Sequence, residues 1–146
     1  MSFPSTLVLA ASLAFLPGCA LFGQSDANSY RYTAFDDAGV KIESGTLTLV
    51  FSPSSSRDHA FDLSGSWRFA SVDGDTSETI STGSGQLEGW VDDDDSFSFD
   101  IHPGYADYNF VLSGSSLTDG AKTFSGRWEA LGFAGIIATG TFTATQ

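Results

Sequence analysis

Only one cysteine, Cys19, occurs in 146 residues, and six basic side chains stand against 18 acidic ones. A lone cysteine excludes an internal disulfide, and no His/Cys spacing suited to zinc accompanies it. Lysine is nearly missing, with Lys41 and Lys122 alone, and the formal net charge is −12. Such a balance argues against a nucleic-acid partner, whose footprint would be basic, and against flat adsorption on anionic lipid. Long apolar runs are also lacking. Leu7 to Leu16 is ten residues, well short of the roughly 20 that span a bilayer as a helix. No window sustains a helical period, and neither a Gly-x-Ser-x-Gly elbow nor a phosphate-cradling glycine loop is present.

What is there begins with that run. A ten-residue apolar run, broken only by Ser12 and followed at once by Pro17, Gly18, Cys19 and Ala20, has the form of an export signal. Leu16-Pro17-Gly18-Cys19 resembles the lipobox of bacterial lipoproteins. The resemblance implies diacylglycerol on the Cys19 sulfur, loss of residues 1–18 and a membrane anchor. It also gives the otherwise solitary cysteine a purpose. Ala20 stands where Asp would retain an enterobacterial lipoprotein at the inner membrane, so the resemblance implies the outer membrane. Cleavage after Ala20, giving a soluble secreted protein, is the alternative. Residues 19–29 are small and polar, as a flexible tether is.

The 128 residues that would remain after residue 18 suit one domain. From residue 30 apolar and polar residues alternate, which predicts strands near 30–35, 44–51, 60–71, 84–91, 96–102, 108–114, 122–130 and 135–145. The intervening turns are rich in Asp, Gly, Pro and Ser, and their shortness forces sequence neighbours to pair antiparallel. A repeat of apolar, spacer, glycine recurs, as in Leu63-Ser64-Gly65-Ser66-Trp67 and Phe124-Ser125-Gly126-Arg127-Trp128. Inward glycines relieve crowding where a sheet coils tightly. The expected fold class is all-β, a closed eight-stranded antiparallel up-and-down (meander) barrel over residues 30–146. This architecture resembles the lipocalin and avidin barrels, which implies the fold and no ligand. The chain also resembles small bacterial lipoproteins with repeated Ser-Gly-x-Trp and a terminal Gly-Thr-Phe-Thr-Ala.

One face collects Leu47, Leu49, Phe51, Leu63, Trp67, Phe69, Phe97, Phe99, Phe110, Leu112, Phe124, Trp128 and Phe142, with Tyr108 assigned beside them; the other is hydroxyls and charges. Apolar inward and polar outward gives a water-facing barrel, since a membrane barrel reverses the two. With so many aromatics a filled core is the first expectation; the alternative is a pocket lined by Trp67, Trp128 and Tyr108 for a flat or apolar ligand. At the end opposite the tether, the turns gather Asp36, Asp37, Asp73, Asp75, Glu78 and Asp107 with Tyr105 and Phe133, an acidic rim carrying two aromatics. Solvated turns explain the same residues.

Asp92 to Asp95 and Asp73-Gly74-Asp75 fall short of a calcium loop, so no metal and no cofactor is expected. His59 follows Asp58, and His102 shares a face with Asp100, yet neither has a nucleophile near it in sequence. The expected role is binding or structural and not enzymatic: either an envelope protein recognising another protein through its far rim, or a carrier of a small apolar or glycan ligand.

Overall fold

The structure is a computed structural model that describes residues 26–73, 81–105 and 108–146. Cys19 and the lipobox-like residues lie outside the described residues, as do Asp75, Glu78 and Asp107 of the acidic rim. Eight strands form: β1 (Asn28–Asp36), β2 (Lys41–Pro53), β3 (Phe61–Ser71), β4 (Gly83–Val91), β5 (Phe97–Asp100), β6 (Asn109–Ser115), β7 (Thr123–Gly132) and β8 (Gly135–Thr145). Each pairs antiparallel with the next, and β1 pairs with β8, so the sheet is a closed up-and-down barrel. Closure removes nearly every exposed edge and lets a strictly alternating sequence bury one face completely.

The alternation is realised side chain by side chain. Tyr30, Tyr32, Ala34, Leu47, Leu49, Leu63, Phe69, Phe99, Leu112, Phe124 and Phe142 are buried on the axis, while Thr46, Arg68, Glu88, Arg127 and Thr141 face out. Rings fill the lumen by direct contact. Tyr32 stacks on Phe69 with centroids 4.1 Å apart, Phe110 stacks on Trp128 at 5.3 Å, and Phe124 meets Tyr30, Phe97 and Phe142 edge-on. Burial of that many aromatic rings is the main stabilising term.

Two tryptophans stitch the wall. Trp67 on β3 lies over Gly85 of β4, its direct partner, and its indole N–H donates to the Ile101 carbonyl just after β5, at 2.8 Å. Trp128 on β7 lies over Gly140 of β8 and donates to the Phe35 carbonyl of β1, also at 2.8 Å. Each indole thus crosses a neighbouring strand at a glycine and bonds the strand beyond it. The two arrangements are related by a shift of four strands, half the barrel. A Cβ at Gly85 would meet the Trp67 indole nitrogen at 2.9 Å, so glycine is what permits the crossing.

One inward assignment is corrected. Tyr108 is 57% exposed, because β6 begins only at Asn109 and residue 108 belongs to the connection before the strand period sets in. It does not line the lumen.

Candidate functional site

Up-and-down topology sorts the connections by end. The ends of β1, β3, β5 and β7 lie far from the start of β1, with the connections that leave them; the ends of β2, β4 and β6 lie at the near end. Nearly all large exposed apolar side chains belong to the far end. Among the described residues Val40, Val72, Tyr105, Tyr108, Phe133, Ile136 and Ile137 are there, and Trp90 alone is not. Scattered apolar residues on a surface need no explanation, whereas a concentration of them at one end makes that end the candidate site. Phe133, 89% exposed, sits at the tip of the β7–β8 hairpin. A register shift between Ala130 and Leu131 makes Ile136 and Ile137 both face out, so the hairpin presents apolar groups along its last turn.

Asp36 and Asp37 border this hairpin. The Asp36 carboxylate accepts from the Val40 backbone N–H at 2.8 Å, closing the β1–β2 turn. The Thr139 hydroxyl donates to the Asp37 carboxylate at 3.0 Å, tying that turn to β8. The rim is therefore apolar and acidic together. In the four-aspartate turn at the near end, Asp94 accepts from the Ser96 hydroxyl at 2.6 Å, and this bond with the Ser96 N–H holds its carboxyl below the usual range.

Among the described residues one carboxyl lies inside the far end of the barrel. Glu43 on β2 is fully buried, opposite Ala34 and Ser71, and burial pushes its pKa up to about 8. The Tyr32 hydroxyl is the polar group that acts on it and pulls the other way, without reaching hydrogen-bond geometry. Neither Glu43 oxygen nor the Tyr32 hydroxyl has a hydrogen-bond partner among the described residues. The alternation predicts a second strand from residue 44; β2 starts at Lys41, and its period turns residue 43 inward.

The histidines find other partners than their sequence neighbours. His59 Nδ1 lies 2.6 Å from the Asp92 carboxylate and its ring stacks on Trp90, so the partner is not Asp58. His102 Nε2 lies 2.8 Å from the Ser81 hydroxyl under the edge of Trp67, not against Asp100, and burial lowers its pKa. This Ser81–His102 pair escaped sequence reading because 21 residues and a whole hairpin separate its members. Ser81 is 5% exposed, which places its hydroxyl as a partner for a half-buried imidazole.

Of the ligand residues expected from sequence, Trp67 and Trp128 are both buried and their N–H groups are taken by backbone carbonyls. Tyr105 and Tyr108 are exposed in the β5–β6 connection and Phe133 at the β7–β8 turn, all at the far end and outside the lumen. Grooves of about 500 and 550 Å³ lie on the outer wall, one lined by Thr46, Thr48, Ser66 and Gln86 and the other by Arg31, Thr33, Lys41 and Thr145. Among the described residues no group of three His, Cys, Asp or Glu side chains is placed to hold a metal. No family model, curated protein or solved structure matches this chain.

Proposed function

We propose that this protein is an outer-membrane lipoprotein, anchored through Cys19, whose filled barrel is a non-catalytic scaffold and whose far rim docks another envelope protein. The observation that carries this reading is the gathering of exposed apolar side chains at the end opposite the tether, beside Asp36 and Asp37. A lumen packed with rings supports a rigid support more than a container. Site-specific photo-crosslinkers at Phe133 and at Asp58, in cells making the full chain, test it. A discrete adduct from position 133 and none from position 58 is the expected outcome; equal labelling at both ends would sink the proposal. Replacement of Cys19 by Ser is expected to release the protein from the membrane fraction, and retention there would remove the anchor from the account.

The carrier reading draws on one observation, the unpartnered Glu43 and Tyr32 polar atoms in the lumen. It requires saturable uptake of an apolar fluorescent dye with quenching of Trp67 or Trp128.

A further inference from the structure

The barrel closes along only part of β8. Arg31–Asp36 of β1 pair with Gly140–Thr145, whereas β8 starts at Gly135. On that side the Asp37 carboxylate reaches Thr139 through its hydroxyl, which leaves Gly135–Ala138 paired to β7 alone among the described residues. An unpaired edge offers its N–H and C=O groups to any strand that can lie against it, and proteins usually guard such edges with charge or proline. Gly135-Ile136-Ile137-Ala138 has neither. Ile136 and Ile137 are exposed, and Phe133 stands at the turn that leads into the segment.

A strand added here would continue the row that β1 occupies in the ladder, beginning just past Asp37. Its near end would meet the Asp36 and Asp37 carboxylates. That geometry, together with a net charge of −12, disfavours a second copy of this chain and favours a segment that carries positive charge. We propose that Gly135–Ala138 is a strand-addition site for an extended partner segment, apolar or β-branched where it crosses Ile136 and Ile137 and basic at the end facing Asp36 and Asp37. This proposal deepens the docking reading by naming the mode of contact, and it rests on the far rim being the docking end.

The probe is the peptide Lys-Val-Thr-Ile-Thr-Val-Lys added to the isotope-labelled full chain, with amide shifts and hydrogen exchange read by NMR. Amides of residues 135–138 are expected to shift and to exchange at least about tenfold more slowly, as added ladder bonds require. A peptide with Glu at both ends should bind at least about tenfold more weakly, one with Pro in the middle should give no response, and Ile136→Lys should abolish the effect with the remaining spectrum unchanged. Equal responses to all three peptides, or shifts centred elsewhere, would overturn the proposal. Protection of the same amides that grows with protein concentration alone would also overturn it, by assigning the edge to a second copy. The peptide arms use the unaltered chain, so they decide the matter whatever the variant does. A distal crosslink without a peptide response would refute strand addition alone, while a peptide response without a distal crosslink would refute docking in the envelope.

Discussion

Glu43→Gln is expected to stabilise the barrel, and by an amount that grows with pH. The Glu43 pKa is raised from 4.5 to about 8 by burial in the lumen. Below pH 4.5 the carboxyl is protonated both folded and unfolded, and it contributes no pH dependence. Between pH 4.5 and 8 the unfolded chain releases the proton and the folded chain keeps it, so stability falls as pH rises, by roughly 1.4 kcal/mol per unit. The loss is complete above pH 8 and amounts to about 5 kcal/mol in order of magnitude. Glutamine is neutral throughout and of the same shape. The variant should therefore match the wild type near pH 4 and exceed it at pH 9 by about 5 kcal/mol, a rise in Tm of roughly 20 °C for a domain of this size. Taking the difference between the two proteins at each pH removes the contribution of every other carboxylate. Urea unfolding of both from pH 4 to 9 measures it, and a difference that stays constant across that range would contradict the assignment of Glu43 as the group responsible.

Gly140→Ala should have the opposite effect. A Cβ there would fall on the Phe35 carbonyl oxygen and lie 2.6 Å from the Trp128 indole nitrogen, which donates to that same oxygen. Either the indole moves, leaving a buried carbonyl unpaired, or β1 moves and the β1–β8 ladder weakens. Adding about 1–3 kcal/mol of overpacking to about 1 kcal/mol for the lost hydrogen bond gives an expected destabilisation of about 3 kcal/mol. Thr141→Ala, one residue on and facing solvent, should change stability by less than about 0.5 kcal/mol. The midpoints of denaturant unfolding compare the three proteins. A Gly140→Ala protein as stable as Thr141→Ala would show that the indole is not what requires glycine.

The strands, their order and the choice of inward face were legible in the alternation from Tyr30 onward, because closure of an eight-stranded meander imposes a single period on the whole domain. Strand ends were less so. β1 starts two residues earlier, at Asn28, inside the stretch read as tether, and β2 starts three residues earlier, at Lys41. The second of these errors concealed Glu43, since no hydropathy pattern announces a carboxyl folded into an apolar interior. Tyr108 erred the other way, an aromatic one residue outside its strand. The repeated Ser-Gly-x-Trp showed that glycine and tryptophan belong together, but the glycine each indole crosses lies on the next strand. Only register identifies it, as Gly85 for Trp67 and Gly140 for Trp128. The rim illustrates the same limit. Phe133 and the acidic turns were visible, whereas the free edge of β8 depends on where β1 stops.

The two indole clasps span unequal lengths of chain, 34 residues from Trp67 to Ile101 and 93 from Phe35 to Trp128. Loop-closure entropy makes the longer one costlier to form by about 1 kcal/mol. The β3–β5 clasp is therefore expected to be in place when the folding barrier is crossed, and the β7–β8–β1 clasp to latch afterwards. Trp67→Phe should slow refolding, and Trp128→Phe should chiefly hasten unfolding, in stopped-flow chevrons; the reverse pattern would place the seam first.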